Sequence, residues 1–192
     1  MFSPKILWGL IILYLISVFL RKLIVIESDD WGSIRMPSND TYEKLLSLNV
    51  PMGHKKRQRF TSYDTLASKE DFELLFNSLK NFKDINGNHP KITAVSVVAN
   101  PDFKKIKANN FREYYFEPFT KTLKRYNLDN AFKMWQLGVN ENLFIPQFHG
   151  REHLNVSVWL RDLQKSVDNT VLAFEQQCWG FDNRNNHGID YQ

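Results

Sequence analysis

Three β-branched residues in a row, Ile24-Val25-Ile26, follow Leu23 and run directly into Glu27-Ser28-Asp29-Asp30-Trp31. An unbroken apolar run of this kind predicts a strand buried on both faces, as in parallel sheets. It stops abruptly at two adjacent carboxylic acids. In parallel α/β folds the carboxyl ends of strands are where ligands bind and chemistry is done, so Asp29 and Asp30 stand where a metal site would be built. The competing reading is a turn or a helix N-cap, roles that Asp also favours. A second stretch repeats the pattern: Leu143-Phe144-Ile145-Pro146-Gln147-Phe148 leads straight into His149-Gly150-Arg151-Glu152-His153.

Two histidines four apart share one face of a helical turn, near enough to hold one ion. The chain's single cysteine, Cys178, excludes an intrachain disulfide and a cysteine metal cluster, so any metal must be held by His and carboxylates. Zinc accepts imidazole nitrogen and carboxylate oxygen and keeps a position open when only three protein ligands bind. Asp29 or Asp30 would complete the set, leaving the other free as a general base. A formal net charge of +4 with no aromatic-basic stripe gives no support to nucleic acid as a partner.

Between these ends the pattern alternates. Short helices are expected over 40–48 and, opened by Ser68 with Asp71 three residues on, over 68–82 with a stripe of Phe72, Leu75, Phe76, Leu79 and Phe82. A strand is expected over 92–98, helices over 110–126 (started or kinked by Pro118) and 131–137 (ended by Gly138), and a strand over 143–148. Two further helices are expected over 156–164 and 171–177. Strands alternating with helices point to an α/β fold with a parallel sheet. The run 54–59, His-Lys-Lys-Arg-Gln-Arg, reads as a solvated basic loop and the tail from 182 as polar.

Residues 6–20 are apolar all round a helical projection and flanked by Lys5 and by Arg21-Lys22. As a helix they reach about 22 Å, short of the roughly 30 Å hydrocarbon core unless flanking residues snorkel. No A-x-A-like cleavage site follows, so an uncleaved membrane anchor over 1–22 is preferred to a signal peptide. The expectation is a membrane-anchored protein of the cell envelope, with an orientation the balanced flanking charges leave open.

Ser28-Asp29-Asp30 together with His149-Gly150-Arg151-Glu152-His153 resembles the first two motifs of the polysaccharide deacetylases, the NodB-homology carbohydrate esterases. The resemblance covers roughly 23–163. It implies a distorted (β/α) barrel and divalent-metal-dependent removal of acetyl groups from N-acetylated glycans. By position, Asp29 matches the catalytic base, and Asp30, His149 and His153 match the metal ligands. Trp31 stands where the family has Gly, and Gly150 where it has Ser or Thr. After His153 only Arg161, Arg184 and His187 are of the types the family's later motifs use, none in a matching context. The expectation is therefore an incomplete barrel over 23–192, the amino-terminal portion of a longer protein, that binds zinc with little turnover. Two alternatives stand beside it: a tethered, non-catalytic relic that binds metal or glycan, and an H-x-x-E-H protease with Glu152 as base.

Overall fold

The computed structural model describes residues 24–52 and 60–182. Its clearest local signal is a helix start. The Ser68 hydroxyl accepts from the Asp71 amide while the Asp71 carboxylate accepts from the Ser68 amide, a full capping box. It opens α2 (Lys69–Lys80), after a shorter α1 (Asn39–Ser47) capped by Ser38. Strand β1 is Glu27–Trp31, β2 is Ile92–Val97, β3 is Ala99–Pro101, β4 is Phe116–Pro118 and β5 is Phe144–Gly150. Interleaved with them are α3 (Phe103–Ala108), α4 (Phe119–Arg125), α5 (Asp129–Asn140), α6 (Val156–Gln164) and α7 (Asp168–Glu175).

Three strands form a parallel sheet in the order β1-β2-β5, while β3 and β4 pair antiparallel beside it. Alternation along the strands sends Ile92, Ala94 and Phe144 into one core with Phe72, Phe76 and Leu79 of α2 and Met134 and Trp135 of α5. The opposite face carries Thr93, Val95 and Ile145, half-buried, and Glu27 and Gln147, exposed. Two further clusters are built by elements that follow the strands' carboxyl ends. One joins Phe103, Leu154, Trp159, Leu163 and Phe174; the other joins Met36, Leu45, Val50 and Cys178.

Several expectations are corrected. The mixed α/β class and parallel sheet are present, but the distorted barrel is not: among the described residues β1 and β5 each pair only with β2, so the sheet is open on both edges. Pro146 suits such an edge, since its missing N–H removes no ladder bond there. The doubly buried strand expected over 23–26 is not formed by its described residues, 24–26. Ile24 and Val25 are 88% and 76% exposed, and the strand starts at Glu27. Among the described residues β1 is an edge strand, with a ladder partner on one side only, and Ile24 and Val25 precede its first paired residue.

The expected hydrophobic helix over 6–20 lies outside the described residues, as do the basic run 54–59, Arg184 and His187. The envelope-anchored location drawn from that helix is corrected as well: among the described residues no helix is long and apolar enough to cross a membrane. The longest, α2 and α5, have 12 residues each, about 18 Å of rise against a hydrocarbon core of roughly 30 Å.

Candidate metal centre

Strand β1 delivers Asp30 through an irregularity. Ser28 pairs with Ala94 and Trp31 with Ser96, so three steps on β1 oppose two on β2. The extra residue makes a bulge, a device that re-aims a side chain. Asp30 itself lies at φ +60 and Gly32 at +86. Asp tolerates the left-handed region better than most residues, yet such a conformation persists only where its surroundings enforce it. On one side Trp31 does so, its ring 4.8 Å from Phe144 and 5.5 Å from Phe72. On the other, the Asn100 side chain accepts from the Ile34 amide and donates to the Gly32 carbonyl, both at 2.9 Å.

The histidine arm comes from β5. His149 is the penultimate residue of that strand and is exposed, and His153 sits in the bend before Asn155, which caps α6. The two therefore do not share a helical turn, as their spacing predicts. The chain folds back after Gly150 instead, and the imidazoles meet with centroids 5.1 Å apart and planes 24° from parallel. Backbone bonds from the Val98 and Ala99 amides to the Arg151 carbonyl, at 3.2 and 2.8 Å, hold the fold-back in place.

Asp30, His149 and His153 each offer one ligand atom, all within 4.8 Å of one another. His153 Nδ1 is 3.8 Å from Asp30 Oδ1. Ligands bound tetrahedrally to zinc at about 2.0–2.1 Å stand roughly 3.4 Å apart, so the triad closes onto an ion by side-chain movement of about 1 Å. Two imidazoles and one carboxylate are also the right chemical set. The residues fit a divalent cation.

Arg35, which the sequence motifs do not mark as a site residue, joins the centre in the structure. Its guanidinium lies 3.8 Å from Asp30 Oδ2 and 3.1 Å from Asp64 Oδ2, over the Trp179 ring at 5.1 Å. A basic residue five positions after the paired acids was the available signal. Asp29 is exposed and outside the triad.

Glu152 is paired with its neighbour Arg151. Its side chain is only 8% exposed and is gripped by the Arg151 guanidinium through two nitrogens. Arg151 in turn lies over Phe116 at 4.7 Å and Tyr114 at 5.3 Å. Burial, reinforced by the Glu152 carboxylate, holds the Tyr114 phenol protonated well above its usual range. With Glu152 committed to Arg151 and His149 on a strand, the H-x-x-E-H protease geometry is not formed. A cleft of about 520 Å³ lined by Phe132, Trp135, Gln136, Val139, Asn140 and Pro146 includes none of the triad. Comparison with known protein families, curated proteins and solved structures finds no match to this chain.

Proposed function

We propose that Asp30, His149 and His153 hold one divalent cation, zinc before others, and that the chain is a metal-dependent hydrolase of the deacetylase type acting on N-acetylated glycans. The observation that carries this reading is the convergence of ligands from two strand ends to within 4.8 Å. When bound, the cation supplies Lewis acidity and an activated water.

The chain's own residues take the other roles. Asp30 anchors the centre from the bulge, and Arg35 holds the second carboxylate oxygen of Asp30 from behind. Asp29, solvent-facing one residue earlier, is the group able to accept a proton from the attacking water. Because His149 is exposed, the centre is in contact with bulk water, which weakens electrostatic stabilisation of the transition state. Slow turnover is therefore expected, with metal binding the stronger property.

Acetate release from N-acetylglucosamine oligomers, with and without added zinc, tests the reading. Slow zinc-dependent release that falls about 100-fold in Asp29→Asn is the expected result, with Glu152→Gln close to the wild type. Zinc-independent release, or loss confined to Glu152→Gln, would overturn it.

A further inference from the structure

We propose that Asn100 is the positioning residue of this centre, a single buried side chain that sets the Asp30 arm against the histidine arm. The proposal rests on the metal reading above. Asn100 is 1% exposed and is the middle residue of β3, just after the end of β2. Its amide oxygen accepts from the Ile34 amide, and its amide nitrogen donates to the Gly32 carbonyl and, at 3.3 Å, to Thr122 Oγ1. Both backbone partners belong to the loop between Asp30 and Arg35.

The two residues before Asn100 hold the other arm. The Val98 and Ala99 amides donate to the Arg151 carbonyl, midway between His149 and His153. Three consecutive residues thus fasten both halves of the triad to one backbone segment. That segment is itself tied down: Asn100 pairs with Glu117 across the β3–β4 ladder, and Glu117 is buried against Arg125 at 2.8 Å. A buried asparagine with both ends of its amide used on one left-handed loop is a poor candidate for simple core filling, since an apolar residue would fill the space without the bonds. Groups that orient metal ligands at one remove typically change affinity by about 10- to 100-fold when lost.

The full chain is compared as wild type, Asn100→Ala and Leu79→Ala, the last a core variant of α2 outside the triad and the Asp30–Arg35 loop. Zinc affinity is measured by calorimetry, and exchange of the Ser33 amide, which donates to the Asp30 carbonyl at 3.0 Å, by NMR. Asn100→Ser replaces Asn100→Ala if the latter does not fold. The expected result is zinc binding at least about tenfold weaker and faster Ser33 exchange in the Asn100 variant, with neither change in Leu79→Ala at a comparable loss of thermal stability. A folded Asn100 variant with wild-type affinity and wild-type Ser33 protection would overturn the proposal. If the wild type itself binds no zinc, the metal reading fails, and the Ser33 exchange rate alone decides whether Asn100 fixes the loop: unchanged protection overturns that too.

Discussion

His153 Nδ1 stands 3.8 Å from Asp30 Oδ1 although β1, which carries Asp30, and β5, which leads to His153, are not neighbours. β1 and β5 are separated by β2, two ladder spacings or about 10 Å. The residues meet only because each arm leans across the carboxyl end of β2. On one side the extra residue between Ser28 and Trp31 turns Asp30 inward; on the other the chain reverses after Gly150, which pairs with Val97 at the last step of β2. The centre is therefore a property of two backbone irregularities, and its strength depends on what enforces them.

Asp30→Asn separates the ligand role from the backbone role. Asn accepts the left-handed conformation as readily as Asp, so the bulge should survive and stability should change by no more than about 0.5 kcal/mol. Zinc affinity should fall by more than the roughly 10- to 100-fold typical of losing a group that only orients a ligand. Urea denaturation and calorimetry on the same preparation check both halves; a large loss of stability would show that the carboxylate holds the loop.

Gly32 and Gly87 both have positive φ, +86 and +82, but different surroundings. A Cβ on Gly32 would lie 2.6 Å from the Val97 carbonyl oxygen, whereas one on Gly87 meets nothing within 4 Å. Gly87→Ala should cost about 1 kcal/mol of backbone strain alone. Gly32→Ala adds a clash with backbone and should cost about 3 kcal/mol or more, with weaker zinc binding. Equal costs by urea denaturation would contradict the packing described for the loop.

Some of this was legible in the sequence, and the reasons for the rest are physical. The Ser68 capping box and the stripe Phe72, Phe76 and Leu79 appear as expected, because capping and 3.6-residue periodicity are local. So do the central strand and the β5 run. Ile24 and Val25 are exposed despite their apolar run, since apolar content reports affinity for a core but not which neighbours the fold supplies. Gly138 has the look of a helix stop, yet it lies inside α5, where α2 and β5 come too close for a side chain. Asp30, His149 and His153 stand out in the sequence by residue type and strand-end position, and their ligand atoms come within 4.8 Å of one another. Arg35 and Asn100 do not stand out, since their roles arise only once distant segments are brought together.

Gly138 yields its own test. On propensity alone Gly→Ala inside a helix gains about 1 kcal/mol. Here the added Cβ would sit 2.4 Å from the Phe76 ring and 2.7 Å from Phe144 Cβ. The expected outcome of Gly138→Ala is a net loss of about 1–3 kcal/mol, read from the urea midpoint, with zinc affinity little changed. A stabilised variant would mean the α2–α5–β5 contact is looser than described.

Burial pushes the Cys178 thiol from its ordinary 9.0 up to about 12. In the native protein it should resist iodoacetamide at pH 8, since the thiolate is the reactive form. The unfolded chain loses this proton first as pH rises, so the stability tied to the neutral thiol is intact below about pH 9 and is lost as pH climbs towards 12. Tyr114 and Tyr126, whose phenols burial also pushes up, act in the same direction. Urea midpoints at pH 8, 10 and 11 should fall in order, and Cys178→Ala should flatten part of the slope. An unchanged slope in that variant would remove the thiol from the account.

The most direct test of the central claim is zinc stoichiometry after chelator washing and reloading, on the wild type and on the His149→Ala/His153→Ala double variant. The wild type is expected to take up one equivalent of zinc. The double variant, folded to the same degree by circular dichroism, should retain none at matched free zinc. Equal uptake by both proteins, or none by the wild type, would contradict a metal centre at Asp30, His149 and His153.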